Sequence, residues 1–335
     1  MARRGWHDLD ESDVRVRPGR RGSRPRSKRR PKHENAVEAM VIAVDRGRWT
    51  CALGDDPERR VVAMRAKELG RTPIVVGDRV GLVGDVSGRP DTLARIVRVA
   101  ERTSVLRRTA DDTDPYERVV VANAEQLVIV TALADPPPRP GFIDRCLVAA
   151  YAGGLSPLLC LTKSDLAAPG EWLDEYASLD LPVTVTRLDA EPDELREWLT
   201  GRVSALIGHS GVGKSTLVNR LVPEADREIG EVSAIGKGRH TSTSAVALPL
   251  PQGGWVVDTP GIRSFGLAHV TPDDVIAVFE GFAEAAEECP PNCGHLGGDQ
   301  DPDCYLDTYA AEAGSPQRLA ALRRLLHSRA GLDDT

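Results

Sequence analysis

Aromatic residues account for only 4% of this 335-residue chain, so any buried core must rest on valine, leucine, isoleucine and alanine. No run of about 18 apolar residues occurs, which excludes a membrane-spanning helix. The arginine-rich start lacks the apolar stretch of a secretory signal. Together these absences predict a cytoplasmic protein. Cysteine is scarce as well, with six in the chain. Cys51, Cys146 and Cys160 are scattered among apolar residues, whereas Cys289, Cys293 and Cys304 cluster near one histidine. That spacing is no disulfide framework, and in a cytosolic chain it points to metal.

Length and charge are what the sequence has in quantity. A chain this long is expected to divide into two or three domains. The net charge of −7 hides an asymmetry: residues 1–35 carry twelve Lys/Arg against five Asp/Glu, an excess of +7, which leaves −14 for the remainder. Residues 1–35 are rich in Arg, Gly, Pro and Ser without periodicity and read as a disordered basic tail. Such a tail suits a phosphate backbone. It suits a solvated extension with no fixed partner equally well.

Residues 36–108 have a different texture. Short β-rich runs are predicted at 39–44, 49–53, 60–65, 79–83 and 94–99, punctuated by Gly, Asp and Pro. Five such runs suggest a small β-barrel of the OB type, and an SH3-like barrel would look much the same. Residues 109–117 read as a linker. Apolar runs at 126–133, 155–162, 183–187, 203–207 and 255–258 then alternate with helical patterns at 142–151, 171–179, 193–199 and 215–221. This alternation predicts a doubly wound parallel sheet over 118–270. Residues 271–335 are expected to be mostly helical, ending in a helix over 316–329.

Three motifs sit on this frame. Gly208-His209-Ser210-Gly211-Val212-Gly213-Lys214-Ser215 matches the phosphate-binding loop in full, with a strand before it and a helix after it. Its glycines let backbone amides turn toward phosphates, and the helix start adds partial positive charge. Lys214 is expected at the β- and γ-phosphates and Ser215 on Mg²⁺, with Thr216 continuing the nucleotide contact. His209 reads as a variable loop position. Asp258-Thr259-Pro260-Gly261 follows about 45 residues later, at the end of a strand. There Asp258 can hold Mg²⁺ and the Gly261 amide can reach a γ-phosphate. Thr162-Lys163-Ser164-Asp165 also ends a strand. It is similar to the guanine-reading motif whose usual first residue is Asn. The Asp165 carboxylate can accept from N1–H and the 2-amino group of guanine, a donor pair adenine lacks, while the Lys163 stem covers the base. The guanine-type motif precedes the phosphate loop by about 40 residues, the reverse of the Ras-like order. A circular permutation explains the reversal, since new termini are tolerated at loops.

Cys289, Cys293, His295 and Cys304 supply three thiols and an imidazole, a set suited to one structural, tetrahedral Zn²⁺. The neighbouring acids Asp299, Asp301 and Asp303 lack the helix–loop–helix context of a calcium site.

Taken in order, Thr162–Asp165, the phosphate loop, Gly238-Arg239-His240-Thr241-Ser242-Thr243, Asp258–Gly261 and the Cys/His cluster resemble the RsgA (YjeQ) family of circularly permuted GTPases that depend on the small ribosomal subunit. Val76-Gly77-Asp78-Arg79-Val80 in the barrel and Ala122-Asn123-Ala124-Glu125-Gln126 before the sheet match as well. The resemblance covers roughly residues 36–325. It implies a multidomain chain: an N-terminal OB-fold, a central permuted α/β GTPase domain and a C-terminal, mostly helical zinc domain. It implies GTP hydrolysis stimulated by the 30S subunit, late in that subunit's maturation, with 16S rRNA and GTP/GDP as partners. The lack of a long apolar run gives no membrane partner, and a monomeric chain is the default expectation. Residues 238–243 correspond to switch I, with Ser242 where the family more often has Thr. Thr241 or Thr243 completes the Mg²⁺ shell. In the family the loop between His295 and Cys304 is shorter. Ile262 stands where Ras-like proteins use Gln to orient water, so intrinsic hydrolysis is expected to be slow. His240 is the candidate to place that water. Two other readings keep the same phosphate loop: a P-loop ATPase or kinase with an accessory β-domain, and a nucleotide-regulated RNA-binding module with little turnover.

Overall fold

Residues that alternate along the first strand divide two cores. In β1 (Val37–Asp45) and β2 (Arg48–Leu53), Ala39, Val41, Trp49, Cys51 and Leu53 pack into one cluster with Val61, Leu82 and Ile96. Their neighbours Met40, Ile42 and Ala52 point the other way and join a second cluster. The apolar run 39–43 is therefore buried on both faces, which is why it does not alternate with polar residues.

The computed structural model describes residues 33–54, 56–109, 116–170, 172, 176, 179, 181–223, 225, 245–260, 266–279 and 281–331. Residues 35–335 form one unit and residues 1–34 another. The expected disorder of residues 1–35 lies almost wholly outside the described residues.

The first cluster fills a barrel. β3 (Asp56–Arg65) pairs antiparallel with β2 and parallel with β5 (Ala94–Val99), β5 pairs with β4 (Arg79–Gly84), and β4 closes back onto β1. This closed five-stranded order, with its one parallel pair, is that of the OB type rather than an SH3-like barrel. β6 (Val105–Arg108) pairs with β7 (Arg118–Ala122) rather than with the barrel.

The central sheet runs β10 (Val183–Val185), β9 (Ser156–Thr162), β8 (Gln126–Ala132), β11 (Val203–Ile207), β13 (Trp255–Asp258), all parallel, and ends in antiparallel β12 (Val246–Pro249). β12 also meets β1 at Ala43–Val246, so sheet and barrel are continuous. Period two again sorts the side chains: Leu127 and Ile129 face one layer, Val128 and Val130 the other. The first layer is covered by α1 (Pro140–Ala152), whose Ile143, Cys146, Leu147 and Ala150 recur at helical spacing behind a proline at its first turn. The second is covered by Leu195 and Leu199 of α2 (Asp193–Leu199) and by Leu217, Val218 and Leu221 of α3 (Lys214–Leu221). The helix expected over 171–179 falls mostly outside the described residues, although Trp172 and Tyr176 are helical.

Among the described residues after the sheet lie four helices: α4 (Pro272–Ile276), α5 (Phe282–Ala286), α6 (Tyr305–Glu312) and α7 (Pro316–Arg329). Thr271 and Asp274 form a capping box that starts α4. Leu319, Leu322, Leu325 and Leu326 of α7 lie in the same cluster as α1. The buried Asp144 of α1 pairs with Arg324 of α7 at 2.9 Å, and Arg145 donates to the Ser328 carbonyl at 2.7 Å.

The Val76–Val80 motif of the barrel and the Ala122–Gln126 motif ahead of the sheet meet each other. The Asn123 amide donates to the Gly77 carbonyl at 2.9 Å, and the Ala122 N–H donates to the Val76 carbonyl at 3.0 Å. Asp78, fully buried, accepts Arg102 Nε at 2.7 Å and the Val75 N–H at 2.8 Å. Gly77 has φ +89°, and a Cβ there would stand 1.8 Å from the Ala122 carbonyl oxygen. Gly77→Ala is therefore expected to destabilise the fold by about 3 kcal/mol through strain and overlap together. A urea melt of the purified chain reads this directly, and an unchanged midpoint would mean that the barrel does not seat on Ala122.

Candidate functional site

The phosphate loop leaves β11 and enters α3 with no residue to spare. A Cβ at Gly208 would lie 2.6 Å from the Val130 carbonyl of the neighbouring strand, so only glycine fits. Gly211 and Gly213 take φ of +87° and +93°, which turns the loop back on itself before the helix. The His209 ring sits 4.0 Å from the Phe142 ring of α1, tilted by 45°. Burial against that ring, helped by the charge of Arg139, holds its imidazole below the usual histidine range. His209 thus packs as a neutral anchor between loop and α1.

Lys214 is buried, and its ammonium reaches an Asp258 carboxylate oxygen and, at 2.6 Å, the Thr259 carbonyl. The Thr259 hydroxyl in turn donates to the Leu206 carbonyl at 2.6 Å. The ends of β11 and β13 are thereby tied at the first residue of α3. Val212 is buried, while Ser210 and Ser215 are exposed on the open side.

Thr162 joins the second motif to the first. Its buried hydroxyl donates to the Val212 carbonyl at 2.6 Å, a bond that Asn and Thr can both make and that explains why Thr serves here. Lys163 adopts φ +59° and its ammonium meets the Asp135 carbonyl. Asp165 accepts the Leu188 N–H at 3.3 Å. Thr162, Lys163 and Asp165 then line a cavity of about 370 Å³ together with Gly213, Thr216 and Arg220. The far wall is Thr186, Arg187 and Leu188, just after β10. The sequence placed Thr186 and Arg187 at the end of the expected strand 183–187 and gave none of the three a role at the site; the strand stops at Val185, and a buried threonine followed by two exposed residues carries no local signal.

His240, Thr241, Thr243 and Gly261 lie outside the described residues, as do the rest of the 238–243 segment and Ile262.

The Cys/His residues converge as expected. The ligand atoms of Cys289, Cys293, His295 and Cys304 all lie within 4.8 Å of one another. Cys289 Sγ is 4.0 Å from Cys304 Sγ, and Cys304 Sγ is 3.9 Å from His295 Nδ1. Tetrahedral Zn–S bonds of 2.3 Å place sulfurs about 3.8 Å apart, so the cage has the right size. Burial pushes the Cys293 thiol up to about 12 and raises Cys304, while it lowers His295. Thiolates here need a cation beside them, and the imidazole is kept neutral, as a ligand must be.

The long His295–Cys304 loop has a physical role. Asp301 accepts the Gly294 N–H at 3.0 Å and the Leu296 N–H at 2.9 Å, one on each oxygen. The added residues thus return a carboxylate that pins the turn bearing His295, itself at φ +58°. Arg323 of α7 donates to the His295 carbonyl at 3.3 Å and pairs with Asp307 through both nitrogens at 2.7 Å. By contrast Cys51, Cys146 and Cys160 are core thiols that burial raises, Cys51 and Cys160 to about 12, so none is a reactive thiolate.

Known proteins resemble this chain in sequence and fold. The RsgA GTPase family model matches residues 99–268. A small ribosomal subunit biogenesis GTPase RsgA from Chlorobaculum parvum is 37% identical over 292 residues, 83% of this chain and 93% of that one. Its counterpart from Chlorobaculum tepidum is 38% identical over 299 residues, 85% and 95% of the two chains. The crystal structure of YjeQ from Thermotoga maritima superimposes with a TM-score of 0.62 at 26% identity, over 88% of this chain and 99% of that one. YloQ, described as a circularly permuted GTPase, shares the fold with a TM-score of 0.63 at 18% identity, over 92% and 99%. With its guanine-type turn on β9 ahead of a phosphate loop on β11, and these relatives along nearly their full lengths, the chain belongs to the RsgA GTPase family.

Proposed function

We propose that this GTPase binds GTP in the cavity between the phosphate loop and the Thr162–Asp165 turn and hydrolyses it when docked on the 30S ribosomal subunit, late in that subunit's assembly in the cytoplasm. The observation that carries the nucleotide reading is the convergence of Thr162, Lys163 and Asp165 with Gly213 and Thr216 on one cavity. The ribosomal reading rests on relatives named for small-subunit biogenesis, matched over 93% and 95% of their lengths.

In this proposal Asp165 accepts both guanine donors and Lys163 covers the base. Residues 208–213 wrap the phosphates with backbone amides, and Lys214 moves its charge onto the β- and γ-phosphates. Ser215 and Asp258 hold Mg²⁺, joined by Thr241 or Thr243, and the ion when bound offsets phosphate charge. Gly261 donates its amide to the γ-phosphate, and His240 orients the attacking water. Cys289, Cys293, His295 and Cys304 hold one structural Zn²⁺, which fixes the α5–α6 connection. The barrel and the basic residues 1–35 face 16S rRNA, and the chain acts as a monomer.

The test is GTP turnover by the purified chain alone, with small subunits, and with large subunits. Turnover alone is expected to be slow and to rise at least about tenfold with small subunits only, a modest demand beside the roughly 10³–10⁵-fold that a partner-supplied group can contribute. Turnover unmoved by either subunit would end the ribosomal reading.

A further inference from the structure

The loop that forms the far wall of the nucleotide cavity is exposed, with Leu188 at 70%, and its shape is held from outside. Arg220, in the last turn of α3, donates Nη1 to the Arg187 carbonyl at 2.8 Å and Nη2 to the Ala190 carbonyl. Its Nη2 also lies 3.8 Å from the Glu191 carboxylate. Arg196 of α2 reaches Glu191 at 2.7 Å and donates to the backbone carbonyl of Arg220 itself at 2.9 Å. From the same loop, the Leu188 N–H donates to Asp165 Oδ1. A path of hydrogen bonds thus runs from the helix that opens with Lys214, through the 187–190 backbone, to the carboxylate at the base end of the cavity.

We propose that Arg220 is a positioning residue for guanine recognition. It fixes the 187–190 backbone so that the Leu188 amide sets the plane of the Asp165 carboxylate. This rests on the reading above that the cavity takes guanine. A carboxylate that must accept two parallel N–H donors works only when its plane is set. Its terminal torsion is otherwise broad, and hydrogen bonds weaken steeply off line. The guanidinium side chain is only 19% exposed, so its bonds form where water competes little and charge-assisted bonds are strong. Arg220 also stands less than two helical turns from Lys214, which makes one rigid element set both ends of the nucleotide.

The test is calorimetric titration of the full chain with GDP and with IDP, whose base lacks the 2-amino group. The variants are Arg220→Ala, Arg220→Lys, Asp165→Ala and the Arg220→Ala/Asp165→Ala double. Arg220→Ala is expected to weaken GDP about tenfold and Arg220→Lys about threefold, since one ammonium cannot span both carbonyls. IDP should be weakened less, so the preference for GDP over IDP narrows. Once Asp165 is gone, removing Arg220 should cost less than about twofold, the mark of two residues acting as one unit. Equal weakening of GDP and IDP, or a tenfold loss that persists in the Asp165→Ala background, would overturn the proposal alone. GDP affinity indifferent to Asp165→Ala would overturn the guanine reading and this proposal with it. Should Arg220→Ala fail to fold, the lysine variant alone and in the Asp165→Ala background carries the same comparison.

Discussion

Asp165→Asn is expected to weaken GTP binding by roughly 10²–10³-fold, as one hydrogen bond to a charged acceptor is replaced by a donor–donor contact and the other loses its charge, and to improve XTP binding by a similar factor. The carboxylate accepts on both oxygens. An amide in its place turns an N–H toward the 2-amino group of guanine, where two donors then collide. Xanthine carries a carbonyl at that carbon, so the same amide N–H finds an acceptor. Thr162, which seats the turn on Val212, is untouched, so the phosphate end keeps its contacts. Competition of GTP, XTP and ATP for the purified variant measures the exchange. Selectivity left as in the parent chain would mean that the cavity beside Asp165 does not hold the base, and the ATPase or kinase reading would regain its ground.

Loss of zinc is expected to have the larger structural effect. Binding at such a site contributes about 10–16 kcal/mol in small zinc modules, far more than the short helices α5 and α6 gain from their own hydrogen bonds. The purified chain should contain one zinc per molecule. Cys304→Ser should abolish stoichiometric zinc and expose residues 281–312 to proteolysis. Asp301→Asn, which keeps every ligand but weakens the clamp on the Gly294 and Leu296 amides, should lower zinc affinity about tenfold. Chelator competition and mass spectrometry of the digest read both. A chain that carries no zinc, or a Cys304→Ser variant as protease-resistant as the parent, would remove the metal from the account of this region.

Much of this architecture is legible in the chain itself because strong local signals and the fold agree. The strands 94–99, 203–207 and 255–258 and the helices 193–199 and 316–329 are found at the bounds that apolar patterning predicts. The choice between OB and SH3-like barrels was not legible, because it depends on β5 pairing parallel with β3, a contact between strands some thirty residues apart. β12 escaped notice for another reason: four residues that end in Pro249, with Pro251 two positions on, read as a breaker, and only the sheet edge makes them a strand. At the site, glycine spacing announced the phosphate loop, and the four metal-type ligands announced their own cluster. The Arg187–Ala190 wall and the reason for the long His295–Cys304 loop stayed hidden. Both consist of side chains that hold backbone amides or carbonyls, across 33 residues for Arg220 and across five and seven for Asp301, and no periodicity records such bonds.

The join between β12 and β1 has a practical consequence for anyone who shortens this chain. β12 is the last strand of the central sheet, and its outer side meets the barrel at Ala43–Val246. Met40 and Ile42 seal the apolar layer beneath it. A GTPase fragment cut free of the barrel would expose an unpaired strand edge above a strip of uncovered apolar surface, the two features that invite chains to stack on one another. The barrel therefore doubles as a solubility shield, and fragments meant for crystallisation or nucleotide screening are better begun ahead of Val37 than after Val99.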